Sequence, residues 1–145
     1  MTTPRRHNWI PVVTALISRE GKLLVGRRPE GHSLAGLWEF PGGKIEMGET
    51  PEEALRRELK EELSIDAEIG SLALATTHNY GQTGIILLFF NVHFWKGELR
   101  TVHHAEIKWV PAQELRQWPL PEANRRILDR LLAAVRMDNA DRVSL

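Results

Sequence analysis

Cysteine is absent from all 145 residues. That removes disulfides, thiolate nucleophiles and Cys-based zinc sites together, and it fits a reducing, cytoplasmic setting. Net charge is absent too, because 19 Lys and Arg balance 19 Asp and Glu. A partner gathered by bulk positive charge is thereby excluded, so no nucleic-acid polymer is expected. No stretch approaches the ~18 continuous apolar residues of a membrane span. The opening MTTPRRHNW also lacks the apolar run of a signal peptide. Internal repeats and linker-like tracts are missing as well, so residues 1–145 are expected to form one domain, with 138–145 a frayed tail. A monomer or a homodimer is expected. Glycine and proline are few, at 11 and 8, while 42% of residues are hydrophobic and 26% charged. That composition and length belong to a globular chain with a real core.

The elements read off in order. Residues 9–18 (WIPVVTALIS) are apolar and β-branched, residues 19–22 form a turn, and Leu23, Leu24 and Val25 return as a second strand. Residues 27–36 are a polar loop, and 37–40 a short extended piece halted by Pro41, Gly42 and Gly43. A helix should start at Thr50, with Pro51 in its first position and Glu53 completing a capping box, and run to Leu63. Residues 85–95 (IILLFFNVHFW) predict one buried strand, and 107–110 another. A second helix should open near Pro121, with Ile127, Leu128, Leu131, Leu132 and Val135 on its core face. This order predicts an α/β fold, an α/β/α sandwich around a central mixed β-sheet.

Charge is balanced in total but not along the chain. Residues 46–68 hold nine acids against Arg56, Arg57 and Lys60, so the remainder is correspondingly positive. On a wheel of about 100° per residue, Leu55, Leu59 and Leu63 make one apolar stripe, and Glu58, Glu61 and Glu62 share an adjoining arc of about 100°. Like charges three and four residues apart repel by a few tenths of a kcal/mol per pair, so a purely structural helix gains nothing from them. A solvated acidic face is the plain explanation. A divalent cation reverses the sign, since clustered carboxylate oxygens are what hard ions such as Mg²⁺ or Mn²⁺ take.

The loop before the helix decides between these. From Gly43, through Glu49, to Arg57, Glu58, Leu59, Glu61, Glu62 and Ile65, the chain resembles the Nudix box: Gly, five residues, Glu, seven residues, Arg-Glu-aliphatic, one residue, Glu-Glu, one residue, Gly, aliphatic. The one departure is Ser64, which stands in the place of the last glycine. At a helix C-cap that substitution costs up to about 1 kcal/mol if φ is positive, and it touches no ligand. The resemblance implies the Nudix fold and hydrolysis of a nucleoside diphosphate linked to another group. It assigns Gly43, Glu58, Glu61 and Glu62 to the metal site and to water activation, and Arg57 to orienting Glu49 by a salt bridge.

Outside the box, residues 37–51 look like the MutT type, the 8-oxo-dGTP diphosphatases, with the bacterial CTP pyrophosphohydrolases as a similar second branch. The similarity runs from about residue 12 to 132 and is dense from 37 to 65. It implies cleavage of a nucleoside triphosphate between the α and β phosphates to a monophosphate and pyrophosphate. Arg28 matches an arginine that approaches the phosphates, and a guanidinium suits bidentate phosphate contact. Lys44 is a second cation for the anionic substrate. Phe40 is placed to offer an aromatic edge to the base, with core packing the plainer role.

Asn124, in Leu120-Pro121-Glu122-Ala123-Asn124, is similar to the asparagine that reads the purine edge in MutT-type proteins. Its amide has the donor and acceptor an oxidised guanine needs; bonding within its own helix turn is the alternative. MutT-type proteins also carry a glutamate ligand six residues before a tryptophan like Trp109, and here that position is His103, leaving Glu106 as the replacement expected from the same loop. His103 and His104, as neighbours in an extended segment, should point apart and share no metal. The expected function is therefore Mg²⁺-dependent 8-oxo-dGTP hydrolysis. CTP or modified-cytidine triphosphate hydrolysis is the alternative substrate class. A nucleotide-binding sensor without turnover, or a calcium-binding structural module, are alternatives of other classes.

Overall fold

The computed structural model describes residues 8–143, with side chains to 139. In chain order the elements are strands β1 (Asn8–Arg19), β2 (Lys22–Arg27), β3 (Trp38–Glu39) and β4 (Gly42–Lys44), helix α1 (Pro51–Leu63), then strands β5 (Asp66–Glu68), β6 (Leu72–Tyr80), β7 (Thr83–Val92), β8 (Phe94–Lys96) and β9 (Glu106–Pro111). A 3-10 turn (Ala112–Gln117) leads to α2 (Glu122–Arg125) and α3 (Leu128–Val143). The central sheet runs β3-β2-β1-β7-β6, with β4 also on β1 and β9 also on β2. The β1–β7 pair is parallel and the other pairs are antiparallel, so the sheet is mixed.

Alternation along the strands builds two cores. Val13, Ala15 and Ile17 of β1, with Leu24, Phe90 and Val92, pack on Ala54, Leu55, Leu59 and Leu63 of α1. Leu16, Leu23, Val25, Leu87 and Phe89 point the other way, onto Ile127, Leu128, Leu131, Leu132 and Val135. Side chains two apart share a sheet face, so one strand stitches both layers of the sandwich.

Several elements differ from the sequence expectation. The run 85–95 is two strands, because after Val92 the chain leaves β7 and Phe94–Lys96 pairs with β5 instead. Strand β6 was not anticipated; most of its side chains are exposed or half-buried, so no apolar run marks it. The second helix is broken into α2 and α3, with 3-10-type bonds from Asn124 N to Pro121 O and Ile127 N to Asn124 O tightening the start. Residues past Met137, expected to fray, are helical as far as Val143, and residues 144–145 lie outside the described part. Among the described residues no helix is long and apolar enough to cross a membrane.

Candidate active site

Helix α1 begins with the full capping box. Glu53 N donates to Thr50 Oγ1 at 3.1 Å and Thr50 N donates to Glu53 Oε1 at 3.1 Å. It ends at Ser64, whose φ of 62° is left-handed and whose N–H donates to Lys60 O. The leucine stripe against the sheet fixes the helix rotation, and so turns Glu58 and Glu62 toward β4.

There the glycine pair makes room. A Cβ on Gly43 would lie 2.4 Å from the Glu58 carboxyl, and one on Gly42 would lie 2.1 Å from Val13 O. Gly42 N donates to Glu62 Oε2 at 3.0 Å. Glu62 is only 7% exposed. Burial first, then the Glu58 and Glu39 charges, push its pKa up to about 8. Burial also raises Glu58, against the opposing pull of Arg57. Charge on Glu62 is therefore costly in this place, and a cation bound beside it would relieve that cost. Glu61 lies on the solvent side, with its side chain 59% exposed.

Arg57 ties the box together. Its Nε and Nη2 donate to the two oxygens of Glu49 at 2.7 and 3.0 Å, a bidentate pair. Nη1 reaches Glu58 at 2.9 Å and Glu61 at 3.4 Å, and Nη2 also donates to Lys44 O. The hydrogen bonds from Arg57 hold Glu49 below the ordinary carboxylate range, and that with Glu49 raises Arg57.

A cavity of about 210 Å³ opens beside this cluster, lined by Arg28, Glu39, Phe40, Gly43, Glu62, His103 and Asn124 among others. Arg28, Phe40 and Asn124 thus meet the box residues in one cleft. Phe40 is also a core residue, edge-on to Phe89 with ring centroids 6.4 Å apart. Asn124 lines the cavity from the first turn of α2.

Glu49, Arg57, Glu58 and Glu61 belong to the α1 cluster without lining the cavity, and neither Lys44 nor Glu106 lines it. Lys44 ends β4 opposite Val12 with an exposed side chain, and what it gives the site is its carbonyl, the acceptor for Arg57. Glu106 pairs with Arg27 across β2–β9, and its carboxylate lies 3.7 Å from Arg27 Nε and 3.5 Å from Lys108 Nζ. It is occupied by cations on the sheet edge.

The cleft wall also holds Glu39, which the sequence did not single out. Glu39 accepts from Arg28 Nη1 at 2.8 Å through Oε2 and lies 3.1 Å from His104 Nε2 through Oε1. Burial alone would raise Glu39, but His104 and Arg28 together outweigh it and hold the pKa below its usual value. Arg28 is further fixed by Ser33, whose carbonyl accepts from Nε at 2.7 Å. His103 and His104 do not lie in a strand; residues 102–105 are bends, so neighbouring side chains are free to converge. Backbone bonds from Arg100 N to Leu63 O, Val102 N to Glu62 O and Ala105 N to Arg27 O pin this segment between α1 and β2. The signal available in the sequence was Glu39 itself, an acid between two aromatic residues in a short extended piece.

The chain is similar to known proteins over most of its length. The family model described as the NUDIX domain matches residues 8–131. The chain is 38% identical to the CTP pyrophosphohydrolase of Escherichia coli K12, covering 86% of this chain and 92% of that protein. It is likewise 38% identical to the 8-oxo-dGTP diphosphatase of Haemophilus influenzae, covering 85% and 91%. The solution structure of the E. coli ORF135 protein superposes with a TM-score of 0.80 at 37% identity, over 88% of this chain and 91% of that one.

Proposed function

Because the chain belongs to the Nudix family, we propose that it is a divalent-metal-dependent nucleoside triphosphate pyrophosphohydrolase whose preferred substrate is 8-oxo-dGTP, released as the monophosphate and pyrophosphate. The observation that carries this reading is the cleft in which Glu62 and Gly43 meet Arg28, Phe40 and Asn124.

The donor set suits Mg²⁺. Glu58 and Glu62 offer only hard oxygens, and burial makes charge on Glu62 costly unless a cation sits beside it. Glu58, Glu62 and, from the solvent side, Glu61 would hold the ion, with Mn²⁺ a chemically acceptable substitute. When bound, such an ion neutralises phosphate charge and lowers the pKa of water.

The chain's own residues do the rest. Arg57 fixes the Glu58 carboxylate by gripping it and Glu49 at once. Arg28, itself held by Glu39 and Ser33, presents a guanidinium to the triphosphate. Phe40 supplies an aromatic surface for the base, and Asn124 pairs donor and acceptor with a purine edge. The names of the relatives support both an oxidised purine and CTP as substrate; the likeness of residues 120–124 to the turn whose asparagine reads the purine edge in MutT-type proteins favours the purine.

Release of pyrophosphate from a panel of nucleoside triphosphates with Mg²⁺ tests the reaction. Binding without pyrophosphate release would make the protein a sensor and overturn the proposal. A metal-dependent rise in melting temperature with no turnover of any nucleotide would instead identify a structural metal module.

A further inference from the structure

We propose that Glu39, His103 and His104 form a second divalent-cation site, chemically distinct from the all-carboxylate site on α1 and selective for imidazole-preferring ions such as Zn²⁺ or Co²⁺ over Mg²⁺. The three side chains each offer one ligand atom, and these atoms lie within 4.8 Å of one another. Two imidazoles and one carboxylate make a mixed N₂O set, which Zn²⁺ and Co²⁺ accept readily and Mg²⁺, which demands oxygen, does not.

Two independent observations make this more than a chance cluster. His104 has no exposed side-chain surface and its Nε2 is held 3.1 Å from Glu39 Oε1, so the two ligand atoms are fixed side by side inside the fold. The ring is also accommodated by design of the neighbouring strand: a Cβ on Gly26 would lie 2.4 Å from it, so only glycine lets His104 reach this place. The site is built from three separate parts of the chain, β3, the 102–105 bend and the facing β2 glycine.

Glu39 and His103 line the same cavity as Glu62, so open coordination positions on an ion here face the cleft. Arg28, on the second oxygen of Glu39, supplies the competing positive charge. That charge works against a weakly held, hydrated ion such as Mg²⁺, and leaves only ions with real affinity for imidazole nitrogen. The site therefore needs no contribution from Glu58 or Glu61, and it stands whether or not the proposed hydrolysis is the protein's reaction.

Co²⁺ titration of the full-length protein in excess Mg²⁺, followed by visible ligand-field absorption, tests the proposal. The expected result is one Co²⁺ per chain, displaced by Zn²⁺. His103→Ala, at an exposed position, should weaken binding at least about tenfold, the lower end of losses seen when a metal site is disturbed. Glu39→Gln should do the same, and Glu58→Gln should leave the Co²⁺ spectrum and affinity unchanged. His104→Gln is checked by its melting curve first, because that side chain is buried. Wild-type Co²⁺ affinity in folded His103→Ala would overturn the proposal, as would loss of the spectrum in Glu58→Gln or no absorption band at all in excess Mg²⁺.

Discussion

Replacing Glu62 by Gln should make the metal-free protein more stable while destroying its proposed use. Glu62 is buried beside Glu58, and its pKa rises from 4.5 to about 8. In the unfolded chain the same group ionises near 4.5. Between those values folding takes up a proton, so stability is full below the lower one and is lost as pH rises toward the upper. At about 1.4 kcal/mol per pH unit of separation, the bound on that loss is about 5 kcal/mol. Water entry and movement of the side chain relax part of it, leaving about 2 kcal/mol. A domain of this size shifts its Tm by about 2–4 °C per kcal/mol.

Gln keeps the shape and the acceptor for Gly42 N–H and carries no charge. In chelator at pH 8.5, Glu62→Gln should therefore melt about 4–8 °C above the parent, and the two should converge at pH 5. Saturating Mg²⁺ should narrow or reverse the gap, because the ion stabilises only the chain that binds it. Thermal melts by circular dichroism at both pH values, with and without Mg²⁺, give the answer. A Glu62→Gln Tm at or below the parent's in chelator at pH 8.5 would refute the claim that this carboxylate is held against its preference.

The same proton must leave before Glu62 can take a metal, so the Mg²⁺-induced rise in parental Tm should grow from pH 6 to pH 8.5; a flat response would detach Glu62 from the ion. Glu58→Gln and Glu62→Gln should each lower turnover at least about a hundredfold with folding intact, the scale of a lost base or metal ligand, read by pyrophosphate release. Ser64→Gly should stabilise by up to about 1 kcal/mol in urea melts, since Ser64 holds a left-handed φ at the end of α1. The two glycines should part company. Gly42→Ala drives a Cβ into the Val13 carbonyl, a rigid backbone atom, and should cost about 1–3 kcal/mol of stability. Gly43→Ala meets the end of the Glu58 side chain rather than backbone, and should cost less stability than Gly42→Ala while displacing Glu58 and weakening Mg²⁺ binding.

How far the sequence could be read follows from the range of the forces involved. The capping box, the leucine stripe of α1 and the alternation along β1 act within a few residues, and each was legible before any coordinates. So was the crowding of Glu58, Glu61 and Glu62, which is a property of one helix. Strand β6 escaped because it lies at a sheet edge and buries little. The break between α2 and α3 escaped because it depends on 3-10 bonds rather than on a proline or glycine.

At the site, pairing across the chain was the obstacle. Glu39 acquires its role from Arg28 and from His104, which lies 65 residues further on. The assumption of extended backbone at His103 and His104 failed because that segment bends where its amides are drawn to α1 and β2. Glu106 was the natural substitute by sequence distance, and the β2–β9 register gave it to Arg27 instead.

The reading of the cleft turns on the base it selects. Steady-state kcat/KM for 8-oxo-dGTP, dGTP and CTP, measured with Mg²⁺ on the parent and on Asn124→Ala, tests it most directly. The account predicts that 8-oxo-dGTP is preferred over both, and that Asn124→Ala erodes the preference by about tenfold, the value of one good amide contact to a base edge. A parent enzyme that prefers CTP, with Asn124→Ala leaving the ranking untouched, would contradict it.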